Sequence, residues 1–294
     1  MNPIRIEGHV VRVGRIEGDK YKFPDDAESI VESLRRSKSR PDIFTFMQGL
    51  KDREPLYPYP MEWDNLAVLQ ITSFDHWWNK TIGFKARNKA KQAEKKGVVI
   101  REVPFDDSLV RGIWEIYNET PVRQGRRFHH YGRSIESVRQ ISATFLSTSQ
   151  FIGAFLDDNL IGFIKLTWDD SKTQAGMMHI ISMIKHRDKA PTNALVTGAV
   201  RFCADRKISY LVYSNFSYGK KERSGLSDFK ERNGFERIRL PRYYVPLTPV
   251  GRIALRLGLH HRAVDYLPES LAARLRNLRY EWYKRKFPAS ALDS

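Results

Sequence analysis

Residues 151–168 read FIGAFLDDNLIGFIKLTW: two apolar runs joined through Asp157–Asp158–Asn159. Strand-forming residues on either side of a short polar turn predict a β-hairpin, so the core of this chain contains a sheet. A third long apolar run, AGMMHIISMI, follows at 175–184 and predicts another strand. Residues 191–206 then read as a helix, and ISYLVYS at 208–214 as a further strand. Upstream, VVIREVPF predicts a strand, and SLVRGIWEIYNE and SIESVRQISATFL predict two helices. Downstream, GLSDFKERNG predicts a short helix, and FERIRLPRYYVPL a closing strand kinked at Pro241. The order is strand, two helices, three strands, helix, strand, helix, strand.

The chain has 294 residues, of which 41% are hydrophobic and 12% aromatic, enough for a packed interior rather than wholesale disorder. That length predicts one core with a sizeable extension, or two small domains. No stretch approaches the run of about twenty apolar residues that spans a bilayer, and MNPIRIEGHVVRVGR lacks the apolar centre of a signal peptide. The expected location is therefore cytoplasmic, and the Asn-X-Ser/Thr triplets at Asn79, Asn118 and Asn215 read as chance. Cys203, the single cysteine, reads as an inert core thiol. Fifty Lys and Arg against 34 Asp and Glu give a net charge of +16. Such a field favours an anionic partner, whether nucleic acid, an acidic membrane surface or a phosphorylated substrate.

Before the core, residues 9–16 and 20–23 around EGDK predict a hairpin, and 25–36 a helix. DIFTFMQ and NLAVLQI follow as strands, separated by the Pro- and aromatic-rich loop EPLYPYPMEW. Thr72 and Ser73 can cap a long helix that carries Trp77, Trp78, Ile82 and Phe84 early. It continues through KARNKAKQAEKK and stops at Gly97, with its cations equally suited to a solvated face.

The element order over residues 98–248 resembles the GNAT superfamily of N-acyltransferases. The resemblance implies an α/β (α+β) fold: a mixed, splayed sheet flanked by helices, with acyl-coenzyme A lying in the splay. Its pyrophosphate would sit at the N-terminus of the helix at 191–206. The superfamily's loop reads Gln/Arg-x-x-Gly-x-Gly/Ala. In KHRDKAPTNALV, Arg187 takes the first place, Ala190 that of the first glycine and Thr192 the last. The implied cofactor-binding residues are Arg187, Lys189, Ala190, Thr192 and Asn193. An anion there would meet backbone N–H groups and the positive end of the helix dipole, although two Cβ atoms crowd an approach that glycine leaves open. The same segment also reads as an ordinary helix start with solvated cations.

RNKAKQAEKKGVVIR, residues 87–101, is similar to a pattern of the Fem family, aminoacyl-tRNA-dependent transferases that build peptidoglycan cross-bridges and share the GNAT core. This second resemblance implies a half-copy of the fold ahead of the core. The expected domains are 1–96 as an N-terminal α/β extension, 97–248 as the acyltransferase core and 249–294 as a basic amphipathic tail. In the tail, Leu271, Leu275, Leu278 and Trp282 share a helical stripe among many cations. It suits an anionic bilayer surface, at the inner face of the membrane, and suits packing on its own domain equally well.

Direct acyl transfer to an amine needs a base, a polarised carbonyl and a proton for the leaving group. Many GNAT enzymes supply that proton from a Tyr whose place here is held by Phe229; Tyr213 and Tyr218 are the substitutes. His179, mid-strand in MMHIISM, is the candidate base, with Glu119 the alternative. A lone His in a strand also reads as a satisfied core residue. NETPVRQGRRFHHYG supplies the candidate acceptor-binding residues Arg123, Gln124, Arg127, His129 and Tyr131, a density of donors suited to carboxylate, hydroxyl or phosphate. The histidine pairs 129–130 and 260–261 lack zinc-site spacing, so no metal is expected. Three readings stand: acyl transfer from acyl-coenzyme A to a small-molecule or lipid-linked amine of envelope-polysaccharide synthesis, Fem-like transfer from aminoacyl-tRNA, or a non-catalytic basic scaffold.

Overall fold

The computed structural model describes residues 3–169, 171–217, 224–261 and 269–286. The chain packs as two compact units: Met1–Leu69 with Val212–Lys230 and Phe235–Tyr266, and Gln70–Leu211 with Glu231–Gly234 and Leu267–Ser294.

In the first unit, β1 (Ile4–Glu7) pairs antiparallel with β2 (Val13–Ile16). The hairpin thus turns at residues 8–12, upstream of EGDK. Gly8 has φ +97°, and a Cβ there would lie 2.1 Å from the Val11 carbonyl oxygen, so only glycine makes this turn. Residues 17–20 instead form a turn, with the Asp19 amide on the Ile16 carbonyl at 3.0 Å. Asp26 caps α1 (Ala27–Arg36) by accepting from the Ser29 amide at 3.0 Å. The helix buries Ala27, Ile30 and Val31 in one cluster with Phe44 and Phe46 of β3 (Ile43–Met47). Strand β4 (Met61–Gln70) begins earlier than NLAVLQI, because Met61, Glu62 and Trp63 already pair with β12 (Glu236–Pro246). The sheet order is β1-β2-β3-β12-β4, with only β2 and β3 parallel.

Proline is costly in an interior strand because it cannot donate to the ladder. Pro241 escapes that cost by position. Its carbonyl accepts the Gln48 amide on the β3 side, and pairing with β3 starts only at Arg242. The absent N–H therefore points past the end of β3. Helix α8 (Pro249–Arg256) is capped by Thr248, whose hydroxyl accepts the Gly251 amide and donates to Asp42 Oδ1 at 2.7 Å.

In the second unit, Ser73 caps α2 (Phe74–His76). A π-turn at Trp77–Thr81 and a break at Ile82–Gly83 separate it from α3 (Phe84–Lys95), so the long helix expected from Ser73 to Gly97 is interrupted. The cause is tertiary. The Trp77 indole donates to the Asn233 carbonyl, and the Gly83 amide to the Arg232 carbonyl at 2.8 Å, drawing the chain out of helical register. Helix α3 buries Ala86, Ala90 and Ala93 and ends at Gly97, whose φ is +80°.

The remaining elements are β5 (Val99–Val103), α4 (Asp107–Asn118), β6 (Val122–Arg123), β7 (Arg126–Arg127), α5 (Ile135–Ser142), β8 (Ser149–Leu156), β9 (Asn159–Trp168), β10 (Gln174–Ser182), α6 (Pro191–Asp205), β11 (Tyr210–Val212), α7 (Gly225–Arg232) and α9 (Glu269–Lys286). The sheet order is β11-β10-β9-β8-β5. Adjacent strand residues point to opposite faces. Phe163 enters the cluster built by Leu109, Val110, Ile113 and Tyr117 of α4, whereas Gly162 lies against Leu195 of α6. The two helices therefore cover opposite faces. A bulge between Met177 and His179 shifts the β10 register. At the tail, α9 buries Tyr283 against Val122 and leaves Leu271, Leu275, Leu278 and Trp282 exposed.

Candidate active site

Three imidazoles meet on the α4 side of the second unit's sheet. Asp106 caps α4 through the Leu109 amide at 2.8 Å, and the helix then buries its apolar stripe as far as Tyr117. The Tyr117 ring stacks on His130 at 4.2 Å and 14°. His130 lies 3.9 Å from the His129 ring and presents an edge contact to His179 at 6.0 Å. His129 is exposed, His179 half-buried and His130 buried. The segment carrying the first two is ordered by the hairpin β6–β7, whose two turn residues Gln124 and Gly125 both have positive φ. Arg133 helps hold it by donating to the His129 carbonyl at 3.3 Å.

All three rings are held neutral at physiological pH. Burial first, then the Lys165 and His129 charges, push His179 down to about 4. Burial, with His129, His179, Arg133 and Arg123 around it, pushes His130 down to about 3. Burial and Arg133 lower His129 as well. A neutral imidazole offers one donor and one acceptor, and Nδ1 of His130 is buried without a partner. Lys165 of β9 sits directly across from His179 in the ladder. It is fully buried and donates to the Ser142 carbonyl at 2.7 Å, the Thr144 hydroxyl at 3.1 Å and the Thr144 carbonyl. Burial lowers Lys165 to about 8.

Glu119, the alternative base, is fully engaged. One carboxylate oxygen accepts the Ile184 amide at 2.7 Å and Arg123 at 3.0 Å; the other accepts the Lys185 amide at 3.0 Å. Arg123 also donates to the carbonyls of Ser182 and Ile116 at 2.8 and 3.0 Å, and its guanidinium covers the Phe128 ring. The two form a part-buried strut beneath the segment 184–189. Of the other acceptor candidates, Gln124 stands at the β6–β7 turn, Arg127 on exposed β7, and Tyr131 is exposed beside His130.

The segment 184–189 is a 3-10 turn that leads into α6 through Ala190, left-handed at φ 52°. The helix has no side-chain cap. Its opening amides are largely spoken for: that of Ala190 goes to the Arg187 carbonyl at 3.0 Å, Pro191 has none, and that of Asn193 turns back to the Ala190 carbonyl at 3.1 Å. The Thr192 hydroxyl shares a 2.7 Å bond with the Ser182 hydroxyl. Asp188 holds both Lys96, at 3.3 Å, and Lys189, at 3.5 Å. Arg187 and Lys189 thus frame an uncapped helix start that presents the Thr192 amide rather than a row of amides.

Tyr213 belongs to the first unit, where it meets Phe229 and Phe235 edge-on and carries the Lys230 ammonium 4.6 Å above its ring. Tyr218 lies outside the described residues. The structure therefore brings His129 and His179 to His130, with Lys165 opposite His179 and Tyr117 stacked on His130; sequence reasoning nominated neither Lys165 nor Tyr117. One signal was available: Lys165 is a lone charge in the apolar run GFIKLTW. Nothing local distinguishes His130 from His129.

No family model matches the sequence, and no curated protein matches it. Solved structures do. The fold is shared with FemX. Its crystal structure superposes with a TM-score of 0.60 at 9% identity, covering 87% of this chain and 86% of that one. L-PGS from Bacillus licheniformis gives 0.55 at 14% identity, covering 88% and 86%. A tandem GNAT protein from the clavulanic acid biosynthesis pathway gives 0.47 at 12%, covering 84% and 79%. The fold of FemX and L-PGS is thus shared across most of the chain.

Proposed function

We propose that this protein transfers an aminoacyl group from a tRNA ester to an amine acceptor carried on, or near, an anionic membrane surface. The observation that carries the choice of donor is the opening of α6. A pyrophosphate at a helix N-terminus depends on several bare amides. Here Pro191 removes one, two more are bonded within the chain, and a Cβ stands on Ala190 at the positive φ where glycine would leave space. The fold likeness to FemX and L-PGS favours the same reading. A net charge of +16 suits the phosphates of tRNA.

In this reading the acceptor ammonium first releases one proton to solvent. The free amine nitrogen then forms its bond to the ester carbonyl carbon while the neutral His179 takes the second proton that this nitrogen must lose. The carbonyl–oxygen bond to the ribose then breaks, and the imidazolium returns the proton to the departing ribose oxygen. A phosphate or carboxylate of the acceptor, held by Arg127 and His129, would raise His179 towards the working pH, where a base is most effective. Exposed Leu271, Leu275, Leu278 and Trp282, with the exposed cations Arg274, Arg279 and Lys286, support contact with an anionic bilayer. Among the described residues, no helix is long and apolar enough to cross a membrane.

One second reading takes acyl-coenzyme A as donor, with Arg187, Lys189, Ala190, Thr192 and Asn193 as its phosphate cradle. It rests on the Thr192 amide, for which no side-chain cap is present, and on the cations beside it. Thermal shift separates the two, since a ligand of the native state raises the melting point by mass action. Stabilisation by bulk tRNA that weakens with salt, together with transfer of radiolabelled amino acid from charged tRNA into a membrane extract, is expected. Stabilisation by coenzyme A without any tRNA response would replace the first reading by the second.

A further inference from the structure

In the first unit, Glu62 of β4 meets His260 and His261, which follow α8. The α8 C-terminus explains their direction. Gly258 has φ +72°, and the Leu259 amide reaches back to the Ala254 carbonyl at 2.8 Å, a six-to-one closing bond that turns the chain towards β4. Both Nε2 atoms then face one oxygen of Glu62, at 3.2 Å from His260 and 3.0 Å from His261. The ligand atoms of the three side chains all lie within 4.8 Å of one another.

The two rings lie 4.0 Å apart at 39°, and His260 is wedged edge-on against Tyr244 at 4.5 Å. The His260 side chain is 5% exposed, His261 32% and Glu62 45%. One ligand is thus fixed by packing, while the other two open to solvent, from which an ion could enter. Nδ1 of His260 is buried without a partner, so the orientation of that ring is set by Tyr244 and by what its Nε2 meets. A tetrahedral zinc-class ion with bonds of about 2.0–2.2 Å holds its ligand atoms about 3.3 Å apart. The nitrogen-to-oxygen separations here are close to that spacing before any ion enters.

We infer that Glu62, His260 and His261 form a three-ligand site for a divalent cation of the zinc class, with a fourth position open to water. Two neutral imidazoles and one carboxylate are the donor set such an ion takes. Bound there, it would fasten the end of α8 to β4, as Thr248 and Asp42 fasten its beginning. Sequence spacing argued against this site because adjacent histidines lack a second ligand pair; the third ligand lies 198 positions from His260.

The test uses the full chain, freed of any affinity tag and stripped with chelator, titrated with Co2+ and Zn2+. A Co2+ visible band of four-coordinate intensity, its displacement by one equivalent of Zn2+, and a raised melting temperature are expected. Glu62→Gln and His261→Ala should each weaken Zn2+ binding at least tenfold. Should a variant fail to fold, imidazole NMR of the wild type decides: one equivalent of Zn2+ must perturb two histidines whose signals are distinct from those of 129, 130 and 179. No binding at tenfold excess Zn2+, unchanged affinity in the folded variants, or perturbation of the 129–130–179 signals instead would overturn the proposal.

Discussion

His179 and Lys165 are register partners across β10 and β9, a neutral imidazole set opposite a buried ammonium. Burial is the first cause of the low His179 pKa and the Lys165 charge the second. Lys165→Met, similar in length but uncharged, should therefore raise the His179 pKa from about 4 without restoring its ordinary value. The variant should also lose about 1–3 kcal/mol, because the Ser142 and Thr144 carbonyls lose their donor. Imidazole NMR titration and urea unfolding measure the two effects; an unmoved titration would assign the shift to burial alone.

The histidine cluster makes stability depend on acidity with a defined sign. The folded-state values of His130 and His179, about 3 and about 4, lie below the ordinary 6.5, so the unfolded chain binds more protons in between. Their stabilisation is complete above about pH 6.5. It is lost as pH falls through the folded values. Melting temperature should drop by on the order of 5 °C between pH 6.5 and 4 from this source. His130→Phe, which keeps the stack on Tyr117, should flatten that slope in a calorimetric pH series.

Glu119 should prove a positioning residue. Glu119→Ala leaves the Ile184 and Lys185 amides and Arg123 without their acceptor, a part-buried pair whose loss costs about 3 kcal/mol. Glu119→Gln still offers a carbonyl oxygen and should retain much of the transfer activity, whereas a general base would not survive that change. Steady-state rates of folded Glu119→Gln distinguish the two roles.

Gly251 should tolerate no side chain. A Cβ at this position of α8 would lie 2.0 Å from the Asp42 carbonyl oxygen, a backbone atom with no freedom to yield. Gly251→Ala should destabilise the first unit by at least about 2 kcal/mol through forced displacement of the helix. Gly225→Ala, where nothing lies within 4 Å of the added carbon, is the control expected to be near neutral in chemical unfolding.

Much of the element order was legible because it is local. Asp26 and Asp106 sit where caps belong, Gly97 ends α3, and the hairpin around Asp157–Asn159 forms where its pattern puts it. What escaped depends on distant partners. The break at Gly83 arises from the Arg232 carbonyl, and the fate of Glu119 is decided by amides 65 and 66 residues later. His179 was visible as a strand histidine, but its place beside His130 depends on a stack with Tyr117 that no spacing encodes.

The insertion of β12 between β3 and β4 has a consequence for biosynthesis. Strands β5, β8, β9 and β10 all emerge from the ribosome between residues 99 and 182 and can join as neighbours at once. Strands β3 and β4 emerge before these, yet their shared partner begins at Glu236. The β12-facing edges of β3 and β4 therefore stay open until that late strand arrives, while β1, β2 and β3 can already pair with one another.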